Sequence, residues 1–188
     1  MTKRLLVAAA LSVVMEHAPT VVGGTAEEYW SRSAYHPTDL DLIPDPSKRD
    51  EQAFKALGFN KEGRHWVREG VQFGVEFPHD PTFEVNRTVI VKLKALQAQV
   101  QMIGVDDLYL DRLGQATATM NVRDMHFASL LAVAVTNWSE LDRGYITRRI
   151  REIESQNPLL GSAMNSMHRR CARRVRDLRA RQRATELM

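Results

Sequence analysis

A single cysteine, Cys171, leaves no disulfide to form within the chain and no cysteine cage for zinc. Aromatic residues are scarce at 7%, and with 7 prolines and 10 glycines the chain is neither collagenous nor of low complexity. Its longest apolar run, residues 5–15, falls well short of the roughly 20 residues that cross a bilayer. The histidines at 17, 36, 65, 79, 126 and 168 show no HExxH-type spacing, so zinc hydrolysis finds no support. The last quarter has no lysine. Residues 143–188 carry 12 arginines against four acids, whereas residues 1–142 carry 14 basic and 19 acidic side chains. The remaining composition is that of an ordinary globular domain: 188 residues, 44% hydrophobic, 26% charged, net charge +3. An acidic body with an arginine-rich end points to a polyanionic partner.

Lys3 and Arg4 before the apolar run imitate a short secretory signal. Glu16 and His17, however, stand where small neutral residues would precede cleavage, and an apolar strand follows directly. The run reads better as a buried first helix of a cytoplasmic protein.

Residues 3–17 are expected to be helical, with a strand at 20–22 ending in Gly23–Gly24. Thr25 is expected to cap a helix over 26–33 whose Glu27 and Glu28 suit its positive end. A strand at 38–43, a helix opening at Ser47 or Asp50 and ending at Gly58, and strands at 64–68, 71–77 and within 85–102 complete the first part. Beyond Gly104 the pattern predicts helices at 105–117, 122–136, 139–155 and from 162 to the end. The expected class is α+β: a mixed sheet with flanking helices over 1–104, then a helical region over 105–188, packed as one compact unit.

Chemistry concentrates in Val21-Val22-Gly23-Gly24-Thr25 and in Asp39-Leu40-Asp41-Leu42, with Asp39 fourteen positions beyond Thr25. On a strand, Asp39 and Asp41 share a face, about 7 Å apart at the backbone, while Leu40 and Leu42 take the other. Two such carboxylates can converge on a hard divalent cation. The glycine turn lets backbone approach a phosphate, and the following helix start adds donors and positive potential. Alternation in Val71-Gln72-Phe73-Gly74-Val75-Glu76-Phe77 puts Glu76 on the open face. Three acids on neighbouring strands would hold two metals for nucleotidyl transfer. Taken singly, Gly-Gly is a turn, Asp-x-Asp a solvated edge and Glu76 an exposed strand residue; their order is what carries the reading.

These motifs resemble the minimal nucleotidyltransferases of the polymerase-β-like superfamily, particularly the small bacterial branch with abortive-infection and toxin–antitoxin members. Gly23, Gly24, Asp39 and Asp41 match that family's motif, Thr25 sits where a small hydroxyl residue is common, and the order of elements agrees over about residues 3–136. The resemblance implies Asp39, Asp41 and Glu76 as catalytic and metal-binding residues, with Mg²⁺ or Mn²⁺ as cofactor and an NTP as substrate. It implies phosphate contacts from Gly23, Gly24, Thr25 and Arg112, and makes Asp124 a supporting acid. The chain departs from the pattern where Glu76 replaces the more usual Asp and Arg112 the more usual Lys. Asp111–Arg112 also reads as a simple ion pair.

In the last helix Met164, Met167, Cys171, Val175 and Leu178 recur at helical spacing, leaving arginines on the other faces. Arg169, Arg170, Arg173 and Arg174 suit RNA phosphates, or equally a solvated face. His36 and the tryptophans 30, 66 and 138 read as loop and core or interface residues. The expected function is metal-dependent transfer of a nucleoside monophosphate from NTP to an acceptor. RNA is favoured over a protein or small molecule, with no membrane partner, and the protein could serve as the toxin of a toxin–antitoxin pair. The alternative is a nucleotidyltransferase-like protein that has lost turnover and binds an antitoxin or RNA.

Overall fold

The computed structural model describes residues 2–78, 84–94 and 97–186; His79 and the end of the last expected helix lie outside them. The chain divides into two compact units, the main boundary at Gly104, with Glu84 grouped with the second.

The first unit is built on a seven-stranded mixed sheet. Helix α1 (Thr2–Val14) turns Leu5, Ala8, Ala9 and Leu11 inward, so the apolar run is a buried helix as the sequence implied. The interior strand β1 (Thr20–Val21) is followed by α2 (Gly23–Trp30), the central strand β2 (Leu40–Ile43) and α3 (Lys48–Ala56). Ser47 and Asp50 form a reciprocal capping box at the start of α3. Beyond it come β3 (Phe59–Glu62), β4 (His65–Arg68), β5 (Val75–Glu76), β6 (Thr88–Leu93) and β7 (Ala98–Ile103). The strand order is β3-β4-β5-β2-β1-β7-β6. Strands β1 with β7 and β2 with β5 run parallel, and the remaining neighbours are antiparallel. Val21, Leu40, Leu42 and Val75 are sealed on the core side, and Phe54 joins Phe59, Trp66 and Phe77 in an aromatic cluster beneath α3.

The helices expected over 3–17, 122–136, 139–155 and from 162 shift by three or four residues at one end, and three further differences from the sequence expectation bear on the site. Helix α2 starts at Gly23, with Val22 in the cap position, so Thr25 lies inside its first turn and caps nothing. Strand β3 was not expected; it pairs with β4 through a two-residue link in which Gly63 adopts φ +60°. The alternating stretch 71–77 contributes only Val75–Glu76 to the sheet, because the chain first turns at 68–71, where the Val71 amide donates to the Arg68 carbonyl.

The second unit is helical: α4 (Val105–Thr119), α5 (Met125–Asn137), α6 (Arg143–Gln156) and α7 (Pro158–Glu186). Leu108, Leu113, Leu130, Val133, Ile146 and Met164 are among its buried core. Helices α6 and α7 cross closely at Gly161, where a Cβ would stand 2.3 Å from the Glu154 backbone. Among the described residues, no helix is long and apolar enough to cross a membrane.

Candidate active site

Register aligns the polar face of the sheet unit. Asp41 pairs across parallel strands with Glu76, and Glu76 pairs across antiparallel strands with His65. Their neighbours Leu40, Val75 and Trp66 are buried on the opposite face, as the two-residue period of a strand requires. Asp39 immediately precedes β2, two residues from Asp41, and joins the same row. Both aspartates and Glu76 are half-buried.

Oxygens of Asp39 and Glu76 and a ring nitrogen of His65 all lie within 4.8 Å of one another. His65 Nε2 stands 3.4 Å from Glu76 Oε2 and 3.9 Å from Asp39 Oδ1. Arg64 Nε approaches the other Glu76 oxygen at 3.4 Å, and the Thr38 hydroxyl donates to Asp39 Oδ2 at 2.8 Å. Arg64 also lines a cavity of about 400 Å³ with Lys61, Trp66, Phe77, Asp45 and Glu51. Lys61 pairs there with Glu51 at 3.4 Å, so that cavity offers no excess of positive charge to an anion.

The glycine turn serves Asp41. Gly23 adopts φ +57°, and a Cβ on it would fall 2.1 Å from Asp41 Oδ2, so no other residue fits beneath that carboxylate. The Gly24 amide donates to the same oxygen at 3.0 Å. Asp41 thus occupies the positive end of α2, a place suited to any anion. Thr25 is completely buried, and its hydroxyl donates to the Asp39 carbonyl at 3.1 Å. It fastens α2 to the lead-in of β2 and has no free face for a phosphate.

His65 was the residue that sequence reasoning passed over as one unpaired histidine among six. The only available signal was its strand alternation with buried Trp66; the pairing of β4 with β5 was not legible. His36, in the loop before Asp39, stays largely exposed and stands 3.5 Å from the buried Glu28 carboxylate.

The remaining predicted residues belong to the helical unit. Arg112 is held at 2.9 Å by Gln115 and at 3.3 Å by Asp111. Burial pushes the Asp111 carboxyl up, against the opposing pull of Arg112 and Gln115. Asp124 occupies the N-cap position of α5, where its side chain makes no capping hydrogen bond. On α7, Met164, Met167, Cys171 and Val175 are buried, while Arg169, Arg170, Arg173 and Arg174 are exposed.

Neither a family model nor a curated protein matches the sequence. The structure is similar to the crystal structure of an antigenic nucleotidyltransferase-like protein from Paracoccidioides brasiliensis. The TM-score is 0.50 at 15% identity, over 87% of this chain and 91% of that one. At that identity the likeness concerns architecture, and it agrees with the mixed sheet, the flanking helices and the helical C-terminal region: the chain has a nucleotidyltransferase-like fold.

Proposed function

We propose that the polar face of the sheet unit binds a divalent cation and the triphosphate of an NTP, and transfers the nucleoside monophosphate to an acceptor. One observation carries this reading: Asp39 and Glu76, from neighbouring parts of the sheet, meet His65 with three ligand atoms in one small volume. The donor set fits a divalent ion, since two carboxylates supply hard oxygens and the negative charge such an ion needs. Asp39 and Glu76 would hold it, and Asp41 would join them after leaving the Gly24 amide. The ion supplies charge neutralisation at the phosphates.

The chain's own residues do the rest. Release of Asp41 frees the Gly24 amide at the helix start for a phosphate oxygen, so metal and nucleotide binding reinforce each other. The acceptor hydroxyl attacks the α-phosphorus as the bond to the β-phosphate oxygen breaks. Pyrophosphate leaves, and the acceptor proton passes to a carboxylate of the site. Positioning and charge account for most of such a transfer, so precise placement by Gly23 and Thr25 matters as much as the acids.

RNA is the favoured acceptor, because the exposed arginines of α7 can grip phosphates without reading bases. A cytoplasmic site of action is part of the same proposal, since NTPs and RNA are met there. A toxin or phage-defence role, restrained by a cognate antitoxin, follows from RNA modification and from the family resemblance alone. A second reading also has an observation behind it. Arg64 and His65 both lean on Glu76, and Asp41 is engaged by Gly24. Acids neutralised within the fold suit a binding protein without turnover.

Incubation with each α-labelled NTP, a divalent cation and total RNA or protein separates these readings. Label in RNA that disappears in Asp41→Asn is expected. Replacing Arg169, Arg170, Arg173 and Arg174 together with Gln should weaken RNA binding and flatten its salt dependence while leaving NTP binding intact. Label on protein alone would overturn the RNA acceptor. Metal-dependent NTP binding with no transfer from any NTP would favour the binding protein.

A further inference from the structure

We infer that His65 is a metal ligand, and that its nitrogen makes the ion position between Asp39 and Glu76 favour Mn²⁺ over Mg²⁺. This rests on the reading of the polar face as a cation site and adds to it which ion the site selects.

Three observations converge on His65. Its Nε2 is enclosed and makes no hydrogen bond among the described residues, although two carboxylates stand beside it. Buried polar atoms in folded proteins are nearly always satisfied, so this nitrogen has a partner still to take. Both distances from Nε2 suit a shared ion. Two donors each about 2.1 Å from one ion lie at most about 4.2 Å apart, and the separations from Nε2 are 3.4 and 3.9 Å.

The third observation is what supports the ring. A Cβ on Gly74 would stand 3.0 Å from His65 Cδ2 and 3.1 Å from its Cβ and Cγ. Gly74 has no positive φ, so its backbone conformation does not ask for glycine. The bare backbone is where the imidazole lies, on the strand lead-in that delivers Glu76 two residues later. Gly74 is therefore a positioning residue for His65.

Donor chemistry then sets the preference. Mg²⁺ demands oxygen ligands and near-ideal octahedral geometry, and it keeps several waters. Carboxylates suit Mg²⁺, Ca²⁺ and Mn²⁺ alike, whereas imidazole nitrogen is a ligand of transition ions, Zn²⁺, Fe²⁺, Ni²⁺ and Cu²⁺ above all; Mn²⁺ opens that transition series and Mg²⁺ lies outside it. A set of two carboxylates and one imidazole favours the ion that accepts both donor types and still works with phosphate oxygens. That ion is Mn²⁺.

The test measures binding on the full chain, without turnover. Mn²⁺ is titrated by the loss of its free-ion EPR signal and Mg²⁺ by calorimetry, for the wild type, His65→Ala, His65→Gln, Gly74→Ala and Asp39→Asn. His65→Ala and Gly74→Ala should each weaken Mn²⁺ at least about tenfold and Mg²⁺ far less. His65→Gln, which offers an amide oxygen in similar volume, should move the preference toward Mg²⁺. Pulsed EPR of bound Mn²⁺ should show nitrogen coupling that His65→Ala removes. Equal losses for both ions, or tighter binding of both in His65→Ala, would overturn the inference, since the second result marks His65 as a cation competing for the acids. Tight Mn²⁺ binding without nitrogen coupling would overturn it too. If Asp39→Asn weakens both ions while His65→Ala weakens neither, the cation site stands and the inference alone fails. If neither ion binds the wild type, the cation site fails and takes the inference with it.

Discussion

In the sheet unit, Asp39, Glu76 and His65 stand together on one polar face, with Arg64 beside Glu76 and Asp41 in the same row. In the helical unit the polar groups are folded into closed sets. The Asp107 carboxylate accepts from the buried Tyr145 hydroxyl at 2.5 Å, and Asp106 accepts the Asp142 amide at 2.9 Å. Tyr109 and His168 share a hydrogen bond of 2.8 Å. The exposed arginines of α7 ring the outside. The difference separates groups paired within the fold from groups that, on the proposed reading, would take a ligand. Carboxylates crowded together repel and lower stability, a cost that a cation bound between them would offset.

Substitution breaks this comparison most sharply. Asp107→Ala leaves the Tyr145 hydroxyl buried without its charged acceptor and should cost about 2–3 kcal/mol. Asp39→Asn removes a charge from a crowded face and should stay within about 0.5 kcal/mol of the wild type, or gain stability. Chemical denaturation of both variants measures the gap. Equal losses would show that the sheet face is held together by the same kind of closed pairing.

The two units should also respond to acid in different windows. Burial, with Arg143 and Arg169 nearby, holds the His168 imidazole below its ordinary 6.5. The unfolded chain therefore takes up that proton first, and the stability from neutral His168 is present above 6.5 and lost as pH falls below it. Asp50 in the sheet unit behaves differently. Burial pushes its carboxyl up, but hydrogen bonds from the Glu16 and Ser47 amides, with the Ser47 side chain and His17 adding to them, outweigh this and hold it below 3.8. Its contribution is present above 3.8 and lost as pH falls through the lower folded value. Thermal midpoints followed from pH 8 to 3 should show His168→Asn flattening the upper part of the decline and Asp50→Asn the lower. A decline unchanged by either variant would contradict both assignments.

Much of the fold was legible because its signals were local. The apolar spacing of α1, the Ser47–Asp50 cap, the Gly-Gly turn and the α7 stripe are each written within a few residues. The site was legible in part. Alternation placed Glu76 opposite the core, and two-residue spacing put Asp39 and Asp41 on one face. What escaped was non-local. The β3–β4 hairpin depends on Gly63 taking φ +60°, and His65 reaches the acids only because β4 pairs with β5. Thr25 read as a cap because it follows two glycines. The helix starts earlier because Gly23 can hold φ +57° beneath Asp41, a contact between residues eighteen positions apart.

The smallest expected effect sharpens the comparison from inside the helical unit. Cys171 is buried on α7, and burial pushes its thiol up to about 12, against the opposing effect of its hydrogen bond with Tyr109. An ordinary cysteine, near 8.5, is about a quarter thiolate at pH 8. A thiol near 12 carries roughly one part in ten thousand there, and only the thiolate reacts. Alkylation of the native protein at pH 8 should therefore be almost undetectable and should proceed only through opening of the helical unit. Asp107→Ala, which loosens that unit, should label measurably faster, whereas Asp39→Asn should label at the wild-type rate. Mass spectrometry of timed iodoacetamide reactions reads both. Rapid labelling of the native wild type would mean that Cys171 is reached without opening. The closed packing ascribed to the helical unit would then be wrong at its centre.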